Sequence, residues 1–240
     1  MLRSVTEILG YVLSANNGEI GKCSDLLFDD DSWRVRFMVA DTARWLPGRK
    51  VLVSPIHLDA PEWSTRRFPV SLSRQQIEGC PPLDEHAPVS RRQEAAFFEY
   101  YGLNKYWTDQ REEAQRLSEE AVAEAGVREE IHLRSMAEVR GYHIRAKDGE
   151  IGHVDDFIVT DDSWRVAFLV IDTRNWLPGK KVLISPTWVD SVNWASHLVR
   201  VGLTKKAVKE SPEYDPNQPV NRDYETRLYD YYGRPLPPTN

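Results

Sequence analysis

The chain has 240 residues, 41% of them hydrophobic and 28% charged, with a formal net charge of −6 and a sequence pI near 5.6. That length accommodates two ordinary domains, and each is long enough to bury a core without disulfides or a structural metal. The acidic balance argues against a broad nucleic-acid surface, which needs clustered Lys and Arg. Arg3 and Glu7 break any opening apolar run, and no window approaches the length of a membrane span, so the expectation is a soluble, cytoplasmic protein.

The chain states its pattern twice. Asp30-Asp31-Ser32-Trp33-Arg34-Val35 returns as Asp161-Asp162-Ser163-Trp164-Arg165-Val166, and Trp45-Leu46-Pro47-Gly48 returns as Trp176-Leu177-Pro178-Gly179. The offset is 131 residues throughout, from Leu2/Leu133 to Gly102/Gly233, and roughly two in five aligned positions are identical. That period is far too long for a solenoid repeat and marks a duplicated domain. The expected division is a first domain over 1–103, a helical linker over 104–131 and a second domain over 132–240. Cys23 and Cys80 are replaced by Val154 and Ser211 in the second copy. A fold-bearing disulfide would be kept in both, so two free thiols and a reducing compartment are expected.

In chain order, Gly10–Ser14 is a short strand, ended by the hairpin signal Asn16-Asn17-Gly18 and by Lys147-Asp148-Gly149 in the twin. Gly21 and Gly152 lie inside the next strand, where a glycine marks a bulge or sharp bend. Trp33, Val35, Phe37 and Val39 alternate with Arg34, Arg36 and Met38, which predicts a half-buried antiparallel strand with one apolar face. Lys50–Ser54 and Phe68–Leu72 are further strands, the second with a partner upstream around Ile56–Leu58 or Trp63. Ser73 and Thr204 read as N-caps of short helical turns over Arg74–Glu78 and Lys205–Lys209. A Pro-rich stretch then leads to an aromatic helix in each copy, capped by Ser90 or Asn221 and ended by Gly102 or Gly233. Thr108–Ala125, rich in Glu, Ala, Arg and Gln, predicts a solvent-facing connecting helix. The predicted class is all-β with short helices, as two tandem small antiparallel barrels.

These residues resemble the PRC-barrel domain, over roughly Val5–Glu78 and Met136–Lys209: a strand, a Gly bend, an Asp-rich turn, a Trp-Arg-Val strand, Trp-Leu-Pro-Gly and Lys-Val-Leu-Ile/Val-Ser-Pro. The domain is named for the cytoplasmic part of the photosynthetic reaction-centre H subunit and also forms half of a ribosome-maturation factor. The resemblance implies a small barrel and no common set of catalytic residues. The expectation is a protein without the H subunit's N-terminal membrane helix and without the ribosome factor's N-terminal domain.

No His-x-x-His, Glu-x-x-His, Cys-x-x-Cys or Gly-x-Ser-x-Gly spacing is present, and none of the histidines recurs in the other copy, so no catalytic, cofactor-binding or metal-binding residue is assigned. Asp29-Asp30-Asp31 reads as a solvated turn, because its twin is Thr160-Asp161-Asp162 and no calcium-loop pattern follows. Trp45, Trp176, Arg44, Arg174, Tyr101 and Tyr232 compose the candidate interaction surface, since Trp, Tyr and Arg are the residues enriched in interfaces. Asp41 and Asp172, each followed by Thr at the end of the best strand, are candidate rim residues for a ligand or a proton relay. The function expected is a non-catalytic interaction or assembly module with a protein partner or a second copy of the chain. The alternative is a small-ligand or proton-linked regulator related to the H subunit.

Overall fold

The computed structural model describes residues 1–42, 45–47, 49–84, 88–107, 131–173 and 180–237. In each half a two-residue turn closes the first hairpin. β2 (Val12–Ala15) and β3 (Gly18–Asp29) are joined by Asn16-Asn17, and β8 (His143–Ala146) and β9 (Gly149–Thr160) by Lys147-Asp148. The turn also serves the next element. Asn17 Oδ1 accepts the first amide of α2 (Arg74–Gly79) at 2.8 Å, and Asp148 Oδ1 that of α5 (Lys205–Glu210) at 2.7 Å.

The predicted bulge lies beside Gly21 and Gly152. A Cβ on either glycine would sit 2.0 Å from the carbonyl oxygen of Asp41 or Asp172, so the hairpin crosses the end of the following strand at a distance that only glycine permits.

That following strand, β4 (Arg34–Asp41), departs from simple alternation. Phe28 pairs with Val35 but Leu27 with Phe37, so Arg36 is the extra residue of a bulge; β10 (Val166–Asp172) has the same irregularity between Val166 and Phe168. The bulge turns Phe37 and Val39 away from the face used by Val35. Val35, Met38 and Ala40 enter the central core, whereas Phe37 and Val39 lie in an outer layer with Phe97, Phe98 and Trp107. The strand is therefore buried on both faces rather than half-buried, because a helix covers the side that a lone sheet would leave in water.

Pairing is not wholly antiparallel. β2 runs parallel to β6 (Arg67–Val70), and β8 parallel to β13 (Leu198–Val201). The upstream partner predicted for this last strand is β12 (Val189–Asn193) in the second half; in the first half only the bridges Leu58–Val70 and Glu62–Arg67 form. One sheet has the order β5-β4-β3-β2-β6, with β5 at Val51–Val53; the other has β11-β10-β9-β8-β13-β12, with β11 at Lys181–Ile184.

The halves exchange strands. β1 (Leu2–Ser4) pairs with β9 of the second half, and β7 (Leu133–Ser135) with β3 of the first. The sheets thus do not follow the division at residues 103 and 132. Each short helix after an exchanged strand is capped from across the joint. Asp156 accepts from Ser4 Oγ (2.5 Å) and the Thr6 amide (3.2 Å) at the start of α1 (Val5–Ile8). Asp25 accepts from Ser135 Oγ (2.6 Å) and the Ala137 amide (3.0 Å) at the start of α4 (Met136–Val139). Between them the Val35 amide bonds to the Trp164 carbonyl and the Val166 amide to the Trp33 carbonyl, both at 2.8 Å. Trp33 and Trp164 have φ of 54° and 51°, strain for a non-glycine residue that this reciprocal bridge holds in place. The arrangement is an intramolecular twofold, and its core runs unbroken from Leu13 and Phe28 to Ile144 and Phe157.

The aromatic helices α3 (Arg91–Tyr100) and α6 (Arg222–Tyr231) dock on their own halves. Ser90 and Gln93 complete a capping box, Asn221 caps α6, and Gly102 and Gly233 follow at φ of 63° and 59°. Phe97 and Phe98 meet Phe37 edge-on at 4.8 and 6.1 Å, and Tyr229 meets Trp188 at 5.3 Å. Burying each such ring stabilises by about 2–3 kcal/mol, which anchors helices too short to persist alone. The predicted connecting helix over 108–125 lies outside the described residues.

Candidate functional site

Of the six residues proposed for an interaction surface, Arg44, Arg174 and Trp176 lie outside the described residues. Trp45 donates through its amide to the Thr42 carbonyl (3.1 Å). It is half-buried, with the Arg74 guanidinium 4.3 Å from its ring centre. Tyr101 and Tyr232 face inward. Tyr101 packs on Phe97 (4.7 Å) and His57 (5.2 Å), and burial pushes its phenol pKa upward. Tyr232 packs on Trp188 (4.7 Å), and burial pushes its phenol up to about 12. Both pin an aromatic helix to its sheet. Their neighbours are the ones in solvent: Tyr100 is 41% and Tyr231 38% exposed. Each hydroxyl is tied down, Tyr100 donating to the Gln76 carbonyl (2.9 Å) and Tyr231 to the Ala207 carbonyl (2.8 Å). The signal was the doubled Tyr-Tyr itself, since adjacent helical residues point in different directions and only one of each pair can pack inward.

Asp41 and Asp172 have diverged. Asp41 is exposed at the mouth of a cavity of about 690 Å³ that also touches Asp25, Lys50, Ser135 and Glu138. Burial raises the pKa of Asp25 despite the hydrogen bonds from Ser135 and Ala137. Asp172 is fully buried, paired in register with His153 on one side and Lys181 on the other. The threonine after each aspartate bonds onward: Thr42 Oγ1 donates to the Leu46 carbonyl (3.3 Å) and Thr173 Oγ1 to the Lys180 carbonyl (2.7 Å).

Among the described residues two groups bring three ligand-type atoms within 4.8 Å of one another: Asp30, Asp31 and His132, and His153, Asp155 and Asp172. Protein cations already sit in both. Arg134 Nε lies 2.9 Å from Asp30, and Lys181 Nζ lies 2.6 Å from Asp155. Such charge compensation gives Asp30 and Asp155 a structural partner without an ion. Cys23 is buried, and desolvation pushes its thiol up to about 12, the opposite of what a nucleophilic cysteine requires. Both cysteines are free thiols.

Residues 133–198 match the family model of the PRC-barrel domain. The second half carries a PRC-barrel domain. The match opens on β7, the strand that sits in the other sheet, and closes as β13 begins. Outside the matched span, residues 2–67 carry the same order of elements at the 131-residue offset except for a counterpart of β12, down to the positive φ of Arg66 and His197. No curated protein matches the chain. Among the described residues no helix is long and apolar enough to cross a membrane.

Proposed function

We propose that the protein is a non-catalytic interaction and assembly module that offers a protein partner two similar faces. The reading rests on one observation. Tyr100 and Tyr231, at equivalent positions on the two outer helices, are exposed and yet fixed by hydroxyl bonds to α2 and α5. An exposed, pre-ordered tyrosine supplies contact area with little further loss of side-chain freedom, which suits it to anchor an interface. Two of them on one chain allow bivalent contact, and linkage of the second contact to the first raises avidity.

The test is affinity capture from the native host with wild-type chain and with Tyr100→Ser/Tyr231→Ser, both checked for the same unfolding midpoint. A partner retained by the wild type and lost from the double variant supports the reading; equal recovery of every partner overturns it.

A second reading, a small-ligand or proton-linked regulator, is favoured by the cavity beneath Asp41, whose volume lies in the range of small-molecule sites. Under that reading Asp41→Asn changes ligand-induced protection of the first half and leaves partner capture intact.

A further inference from the structure

Behind α3 the first half encloses a charged cluster of which the second half keeps the pair Arg222 and Glu225, 3.6 Å apart on α6. Glu94 on α3 is 1% exposed. Its Oε2 accepts from Arg91 Nη1 at 2.8 Å, and its Oε1 has no hydrogen-bond partner. The same Arg91 Nη1 donates to the Tyr106 hydroxyl at 2.7 Å, and Arg91 Nη2 lies 3.9 Å from Asp29 on β3. From β4, the Arg36 guanidinium lies over the Tyr106 ring at 3.5 Å, with Arg34 two residues before it on the strand. Arg91 also covers the Trp107 ring at 4.4 Å. The equivalents of Asp29, Arg36 and Tyr106 in the second half are Thr160, Ala167 and Pro237.

Tyr106 and Trp107 are the last described residues before the segment that joins the halves. We propose that residues Leu103–Trp107 form a clasp over α3, closed while Glu94 carries a proton and loosened when Glu94 ionises, so that proton concentration sets how firmly the start of the joining segment is held.

The physical reason is the imbalance around Glu94. Two carboxylates, Glu94 and Asp29, share Arg91; the Tyr106 hydroxyl and the Arg36 charge also favour ionised Glu94, but its desolvation outweighs them, and Arg36 is itself bonded to Ser32 Oγ (3.1 Å). Ionised Glu94 keeps one charged oxygen buried without a donor, a cost that hydration removes once the clasp opens. Desolvation accordingly pushes the Glu94 carboxyl up to about 7. Because its affinity for the proton is higher in the closed form than in a hydrated one, the closed form is favoured at low pH. It is weakened as pH rises from the ordinary glutamate value through about 7.

The experiment is hydrogen exchange of the Leu103–Trp107 amides in the full chain, corrected for intrinsic rates, with the Glu94 carboxyl carbon followed by NMR. Wild type is expected to lose protection about tenfold between roughly pH 6 and pH 8.5, with Glu94 titrating across the same interval, while Glu94→Gln stays protected at both values. Equal protection of the wild type at the two pH values overturns the proposal. So does the same loss in Glu94→Gln, or a Glu94 carbon that titrates in the ordinary glutamate range; that last result is read from the wild type alone and does not depend on the variant folding.

Discussion

At position 57 the first half carries a histidine, half-buried against Tyr101; at the equivalent position 188 the second half carries a tryptophan, 4% exposed and wedged between Tyr229 and Tyr232. The same contrast recurs around the outer shell. Leu83 occupies the position that is Tyr214 in the second half, Asp41 is exposed where Asp172 is buried, and the Arg91–Glu94 pair, kept as Arg222–Glu225, is joined by Asp29, Arg36 and Tyr106 where the second half has Thr160, Ala167 and Pro237. The joint shows the reverse. Ser4 and Ser135, Asp25 and Asp156, Gly21 and Gly152, Trp33 and Trp164 are identical pairs in identical roles. Duplication has held constant what lets the halves interlock and has released what each half shows on its outside. The second half has placed Trp188 where the first has His57; the first has gathered Asp29, Arg36 and Tyr106 around its Arg91–Glu94 pair.

The comparison breaks first at the glycines if they are not equivalent. Gly152→Ala and Gly21→Ala each drive a methyl group into a backbone carbonyl that cannot move without separating two strands, and each is expected to cost about 4 kcal/mol or more, read from urea unfolding. A mild effect at either site would mean that the two crossings differ. The outer shell should behave unequally. Trp188→Ala removes a fully packed ring and is expected to cost about 3–5 kcal/mol, whereas His57→Ala removes a half-exposed one and should cost about 1 kcal/mol or less. Equal losses would erase the contrast drawn above. A modest effect tests the joint: Asp25→Ala and Asp156→Ala each strip a cap supplied across it, for about 1–2 kcal/mol apiece in chemical unfolding. Their costs should be similar to each other, since the two caps have the same partners.

Much of this was legible in the sequence for a physical reason: turns, caps and bulges are specified by the residues that occupy them. Asn16-Asn17-Gly18, Ser90 with Gln93, Gly21 and Gly102 all sit where their backbone chemistry placed them. What local pattern could not carry is the choice of partner. Nothing in Leu2-Arg3-Ser4 distinguishes pairing with its own sheet from pairing with the other, and nothing in Val12–Ala15 announces a parallel neighbour. The bulge at Arg36 was hidden because alternation alone cannot reveal one extra residue. At the candidate surface, the doubled tyrosines were visible but their directions were not, and the inward pair Tyr101 and Tyr232 was chosen over the outward Tyr100 and Tyr231. The repeated Asp25/Asp156 and Ser4/Ser135 pairs were the available clue to the exchange, since a buried carboxylate kept twice needs a donor.

The interlock also has a temporal side. As the polypeptide leaves the ribosome, the edge of β3 at Leu27–Asp29 is synthesised long before Leu133–Ser135, the residues that cover it. Until those arrive the nascent chain displays an unpaired apolar strand edge, a template for aggregation. Synthesis speed and chaperone occupancy over that interval therefore bear on yield in a way that stability of the finished molecule does not register.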